Sequence, residues 1–142
     1  MKKKYLLVLP LTLLSACTTI RVDPVASADL PNKICIEENP RVIVHDFLST
    51  IRNRIEDHGI KTTVYSGDIP ENCEFTLTYT ALKNWDMATY LHHAELRLEK
   101  NGNKIGYAEY HLNGKGGLSL TKWQSTKTKM DPVVDQLLGK SS

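Results

Sequence analysis

The chain predicts an α+β domain with two layers, in which a mixed, mostly antiparallel sheet carries two helices on one face. Three observations lead there. Val44, Phe47, Leu48, Ile51 and Ile55 recur at helical spacing between two short runs rich in branched residues, Lys33 to Glu38 and Ile60 to Tyr65. Two later stretches alternate apolar and polar residues with the period of two that a half-buried strand requires, and a third returns across a hairpin turn. A second apolar pattern of helical type, Val133, Val134, Leu137 and Leu138, closes the chain.

Taken in order, Ile34, Cys35 and Ile36 in succession suit a strand buried on both faces. Asn39-Pro40 then offers an N-cap followed by a proline at the first helical position. A helix is therefore predicted over residues 40–58, ended by Gly59 in the left-handed conformation of a C-cap. Arg41, Asp46, Arg52, Asn53, Glu56 and Asp57 fall mostly off the apolar stripe and read as its solvated face. A strand, a helix of this length and a strand make a right-handed crossover, which sets the two strands parallel in one sheet.

Ser66 to Asn72 is a turn-rich loop. Beyond it Phe75, Leu77, Tyr79 and Ala81 share one face of a strand and Thr76, Thr78 and Thr80 the other. Lys83 to Ala88 reads as a bulge or turn. Tyr90 to Glu99 alternates again, with Tyr90, His92, Ala94, Leu96 and Leu98 on the apolar side, and Asn101-Gly102-Asn103 turns it into a partner strand over Lys104 to Leu112. Gly114, Gly116 and Gly117 loosen the backbone before Leu118 to Trp123, expected as a last strand. The closing helix is expected in a short form starting at Asp131-Pro132. A start near Ser125 would put Pro132 inside the helix, where its ring clashes and its amide donor is missing.

The first seventeen residues bear on location. Lys2, Lys3 and Lys4 form a positive block, Tyr5 to Leu14 is an apolar run, and small Ser15 and Ala16 precede Cys17, the layout of a secretory signal peptide. Tyr5 to Ala16 is 12 residues, whereas spanning a bilayer takes about 20, and Pro10 interrupts the run. The sequence Leu14-Ser15-Ala16-Cys17 resembles the lipobox of bacterial lipoproteins, in which the peptide is cut before the cysteine and the new terminus is acylated. That resemblance makes residues 1–16 a signal peptide and Cys17 the lipidation site. Each buried methylene contributes about 0.8 kcal/mol, so several acyl chains hold a domain on a membrane almost permanently.

Residues 17–32, with two prolines and scattered polar residues, read as the acylated cysteine and a tether, which leaves 33–139 as a single domain. In the lipoproteins that the lipobox resembles, an Asp directly after the modified cysteine favours the inner membrane. Here that residue is Thr18, so the resemblance implies the periplasmic face of the outer membrane of a Gram-negative cell. The pattern from Trp85 to Leu91, with Lys122-Trp123 and Met130-Asp131-Pro132-Val133-Val134-Asp135, is similar to that of a family of short proteobacterial lipoproteins without assigned activity.

Without Lys2, Lys3 and Lys4 the 18 basic residues fall to 15 against 16 acidic ones, a net charge of about −1. Lys122, Lys127 and Lys129, the densest basic cluster, make no stripe of the kind a nucleic acid requires, which argues against that partner. With Cys17 acylated, Cys35 and Cys73 remain, and an even remainder outside the cytoplasm reads as a disulfide.

The candidates for chemistry are few. His93 and Glu95 share a strand face, and His111 on the partner strand could approach them, giving two imidazoles and a carboxylate for a metal-dependent or acid-base hydrolase. His92 must look the other way, and the plainer reading is an exposed histidine pair among charged strand positions. No H-E-x-x-H, G-x-S-x-G or phosphate-loop spacing occurs. Trp85, Tyr90, Tyr107, Tyr110 and Trp123 could grip a peptide or glycan if they shared an open face, although the alternation already directs several toward the helices. The resulting expectation is a lipid-anchored, non-enzymatic binding or envelope-assembly accessory, with no cofactor, no metal, and a membrane and an envelope protein or cell-wall component as partners.

Overall fold

A computed structural model of the chain describes residues 18–140; the signal peptide expected over 1–16 and the lipidation expected at Cys17 lie outside the described residues. The elements are β1 (Thr18–Asp23), β2 (Lys33–Glu37), α1 (Phe47–Asp57), β3 (Lys61–Tyr65), β4 (Phe75–Asp86), β5 (Ala88–Lys100), β6 (Asn103–Leu112) and α2 (Thr126–Leu137). The strands form one sheet in the order β1-β6-β5-β4-β2-β3. β2 runs parallel to β3, as the crossover through α1 requires, and parallel to β4, while the β4–β5, β5–β6 and β6–β1 pairs are antiparallel. The predicted α+β architecture with a mixed sheet and two helices is what the molecule adopts. Among the described residues no helix is long and apolar enough to cross a membrane.

The period-two alternation makes the two faces unlike. Leu77, Tyr79 and Ala81 of β4 lie opposite Leu98, Leu96 and Ala94 of β5, which in turn lie opposite Gly106, Ala108 and Tyr110 of β6. These rows are buried beneath Phe47, Ile51 and Ile55 of α1 and Met130, Val133, Val134 and Leu137 of α2. Burying each large side chain fully contributes about 1.5–3 kcal/mol. The Phe47 and Tyr79 rings meet at 5.4 Å, tilted against each other. Gly106 has no side chain because none fits: a Cβ there would lie 2.8 Å from Val25 Cγ2 and 3.0 Å from Leu137 Cδ1.

On the far side of β2, Cys35 is bonded to Cys73, with Cα atoms 5.9 Å apart and a sequence separation of 38. The predicted disulfide is therefore present, and it ties β2 to the loop ahead of β4.

Four expectations are corrected. Residues 18–23, read as tether, are the edge strand β1, paired with β6 from Thr18↔Leu112 to Asp23↔Tyr107. Ile20 and Val22 lean onto the core, and buried Val25 donates its N–H to the Leu137 carbonyl at 2.9 Å. Residues 18–25 thus belong to the folded unit, ahead of residue 33.

The helix predicted over 40–58 starts only at Phe47. Asn39 does not cap it: its side-chain amide donates to the Tyr79 carbonyl at 2.9 Å, and its side-chain oxygen accepts from the Arg41 N–H at 3.1 Å. This local turn competes with helix, as Asn side chains commonly do.

Leu118 to Trp123 is not a strand; a 3-10 helix occupies Leu120–Trp123. The last helix takes the long form, with Pro132 inside it. Ser125 caps it by accepting from the Thr128 N–H at 3.1 Å. An interior proline costs about 3 kcal/mol, and four buried apolar side chains on the same helix outweigh that.

Candidate functional site

The sheet face away from the helices carries polar rows. In the first, Leu82 of β4, His93 of β5, His111 of β6 and Thr19 of β1 are successive cross-strand neighbours; in the second they are Thr80, Glu95, Glu109 and Arg21. His93 Nδ1 and His111 Nδ1 stand 3.2 Å apart, with the rings edge to face. His93 Nε2 lies 3.3 Å from Glu95 Oε1, and Glu109 Oε1 lies 4.0 Å from His93 Nδ1. Arg97 donates to Glu95, and the Tyr107 hydroxyl donates to Glu109 Oε2 at 3.4 Å. Burial raises the Tyr107 phenol above its ordinary pKa, with Glu95 and Glu109 adding to the shift.

The structure therefore brings together His93, Glu95 and His111, and adds Glu109, which sequence reasoning missed. Glu109 shares the face of His111 by its spacing of two, so the signal was there once His111 was considered. Ligand atoms of His93, Glu109 and His111 all lie within 4.8 Å of one another. His92 is the unpaired residue at the β4–β5 register shift, where burial chiefly pushes its imidazole below the ordinary value, assisted by His93 and His111.

The five aromatics do not form one surface. Tyr90 and Tyr110 are buried toward the helices, Tyr107 sits on the open face, and Trp123 donates its Nε1–H to the Asp86 carbonyl at 2.9 Å. Trp85 alone projects freely, 70% exposed beside Met87 at 83%. Both belong to the tight β4–β5 connection, where Met87 takes a positive φ of 61°.

This hairpin lies at the end of the sheet where β1 begins. Thr18 is paired with Leu112, and β5 continues past that level from His93 to Ala88. The glycine loop that follows Leu112 folds against the hairpin, and its neighbours Leu118 and Leu120 are exposed. A shallow hollow of about 290 Å³ lies between the two, lined in part by Trp85, Asp86, Lys115 and Lys122.

Two lysines hold this end together. Buried Lys122 donates to Asp86 and to the Gly117 carbonyl, the latter at 3.0 Å. Buried Lys129 donates to the Leu91 carbonyl at 2.9 Å and to the Lys122 carbonyl, with its ammonium 5.7 Å from the Tyr90 ring centre and 5.9 Å from that of Tyr110. Burial pushes Lys129 down to about 8. Nothing in the sequence distinguished these lysines from solvated ones.

A six-stranded sheet of this order, with both helices on one face, invites comparison with solved folds. Its fold is similar to that of PelC. PelC from Paraburkholderia phytofirmans, solved as a dodecamer in two crystal forms, superposes with a TM-score of 0.56 in each. Identity is 13% over 85% of this chain and 94% of that one in the first, and 11% over 88% and 99% in the second. A minor lipoprotein from Acinetobacter baumannii aligns at 15% identity over 76% of this chain and 87% of its own, with a TM-score of 0.32. No protein-family model and no curated protein sequence matches the chain.

Proposed function

We propose that this chain is a lipid-anchored, non-enzymatic accessory domain of the bacterial envelope, held at the periplasmic face of the outer membrane with its β4–β5 hairpin against the lipid. One observation carries the reading. Cys17, the lipobox cysteine, directly precedes Thr18, and Thr18 opens β1 at the same end of the sheet as exposed Trp85, Met87, Leu118 and Leu120. An anchor at residue 17 leaves no tether between lipid and fold, so these apolar side chains come down near the headgroups, where Trp and Leu partition favourably. The open sheet face then stands free to meet a protein or cell-wall partner.

The disulfide and the likeness to PelC support an envelope role without defining it. Because PelC is a dodecamer, self-association is the first partner to test. In cells, the wild-type chain is expected in the outer-membrane fraction and Cys17→Ser in the soluble periplasm or as uncut precursor. Crosslinking in the intact envelope followed by mass spectrometry should return copies of the chain or a defined envelope protein. Unchanged processing and fractionation of Cys17→Ser would overturn the reading.

A further inference from the structure

The two histidines at the centre of the open face are spaced as ligands of one ion. Zinc binds imidazole nitrogen at about 2.0–2.1 Å in a tetrahedral shell, which puts two such nitrogens about 3.3 Å apart. His93 Nδ1 and His111 Nδ1 are 3.2 Å apart with no helix covering them. Without a metal this contact requires one ring to donate its proton to the other's lone pair. With a metal, both rings present lone pairs to the ion instead.

The surroundings complete the arrangement. Glu109, two residues before His111 on the same face, has its carboxylate 4.0 Å from His93 Nδ1, and a rotation about its side chain brings an oxygen into the shell. Glu95 takes the outer role: its oxygen is 3.3 Å from His93 Nε2, the nitrogen a ligating Nδ1 leaves free, and Arg97 fixes that carboxylate. A carboxylate behind a ligating histidine sets the tautomer and raises the ring's basicity.

The register supplies a further reason. Glu95 and Glu109 are direct cross-strand partners, an opposition of like charges that destabilises a sheet. Arg97 offsets Glu95 and Arg21 lies opposite Glu109, and a divalent cation between the histidines adds to that neutralisation. An ordinary polar patch explains charged residues here, but not two facing imidazoles with carboxylates at both ring nitrogens of His93.

We propose that His93 Nδ1, His111 Nδ1 and Glu109 bind a divalent transition cation, best matched by zinc, with solvent in the fourth position. Magnesium and calcium prefer all-oxygen shells and are not suited to two imidazoles. The site is independent of the lipid anchor and of the accessory role proposed above.

The test uses the full chain, purified in detergent and stripped with EDTA, titrated with zinc chloride against a chromogenic chelator. One zinc per chain is expected, with no competition from magnesium or calcium. His93→Ala and His111→Ala should lose the site. Glu95→Gln, which removes no ligand, should weaken it by about 10- to 100-fold, and exposed His45→Ala should leave it intact. Zinc should also raise the urea midpoint of the wild type but not that of His111→Ala. Because these side chains lie on the open face, the variants should keep the wild-type midpoint in EDTA; if one does not, Glu109→Gln serves in its place and should weaken zinc binding. Failure to saturate at one zinc per chain, or wild-type affinity in His93→Ala or His111→Ala, overturns the proposal.

Discussion

Arg54 of α1 grips Asp135 of α2 with two parallel N–H donors, Nε to Oδ1 at 2.7 Å and Nη2 to Oδ2 at 2.6 Å. His58 Nε2 reaches the same Oδ1 at 2.6 Å. The two helices pack side by side on the sheet, and this forked pair joins their polar flanks. A buried carboxylate with bidentate Arg geometry is the kind of ion pair whose rupture is costly, because the remaining charge stays partly desolvated.

Asp135→Asn is accordingly expected to lower unfolding free energy by about 2–3 kcal/mol, less than for a fully buried pair because Arg54 is partly solvated. The Arg54 hydrogen bonds hold the Asp135 carboxyl below its ordinary pKa. Its contribution is therefore complete above the unfolded value near 4 and is lost as pH falls through the lower folded value. Urea titrations of wild type and variant should converge in acid; a constant difference between pH 7 and pH 2 would refute this.

Lys129 predicts a dependence of the same sign in an alkaline window. Its folded pKa near 8 lies below the ordinary lysine value of 10.5, so between these pH values the unfolded chain binds more protons than the folded one. Stability must rise with pH across that window. Above pH 10 the gain is opposed by Tyr110, whose phenol burial pushes up to about 12. Lys129→Met should abolish the rise between pH 8 and 10 in thermal melts, and an unchanged slope would count against the assignment.

The Cys35–Cys73 bond closes a loop across 38 residues. Chain entropy alone gives it about 4 kcal/mol. Reduction, or the double change Cys35→Ala and Cys73→Ala, should lower the urea midpoint accordingly. Equal midpoints with and without reductant would show that the bond adds no stability.

The hairpin end should partition into lipid even without the acyl chains. The Cys17→Ser chain is expected to bind vesicles of phosphatidylethanolamine and phosphatidylglycerol weakly, with a blue shift in tryptophan emission that disappears in Trp85→Phe. Leu118→Ser and Leu120→Ser together should reduce binding by at least about tenfold, since each buried leucine contributes up to about 1.5–3 kcal/mol. Vesicle binding unaffected by these changes would point the anchor end away from the bilayer.

Local periodicity made much of this molecule legible. Alternation in Phe75 to Ala81 and Tyr90 to Glu99 assigns each side chain to a face, because the pleat permits only two directions. The stripe from Phe47 to Ile55 locates the first helix body, and the pairing of Cys35 with Cys73 follows once a third cysteine is set aside. His93 and His111 could likewise be singled out before their distance was known.

What only the tertiary structure decided depends on partners far away in sequence. The register of β5 against β6 puts Glu109, not Glu95 alone, beside the histidines. Thr18 to Asp23 becomes a strand because β6 offers it an edge, although Ile20 and Val22 already alternate. Pro132 stays inside a helix because the core rewards burial of Met130, Val133 and Val134 more than a missing backbone bond costs. Lys122 and Lys129 are buried because carbonyls, Asp86 and ring faces converge on their ammonium groups. Periodicity sets the side of an element a residue occupies; long-range packing sets what it meets there.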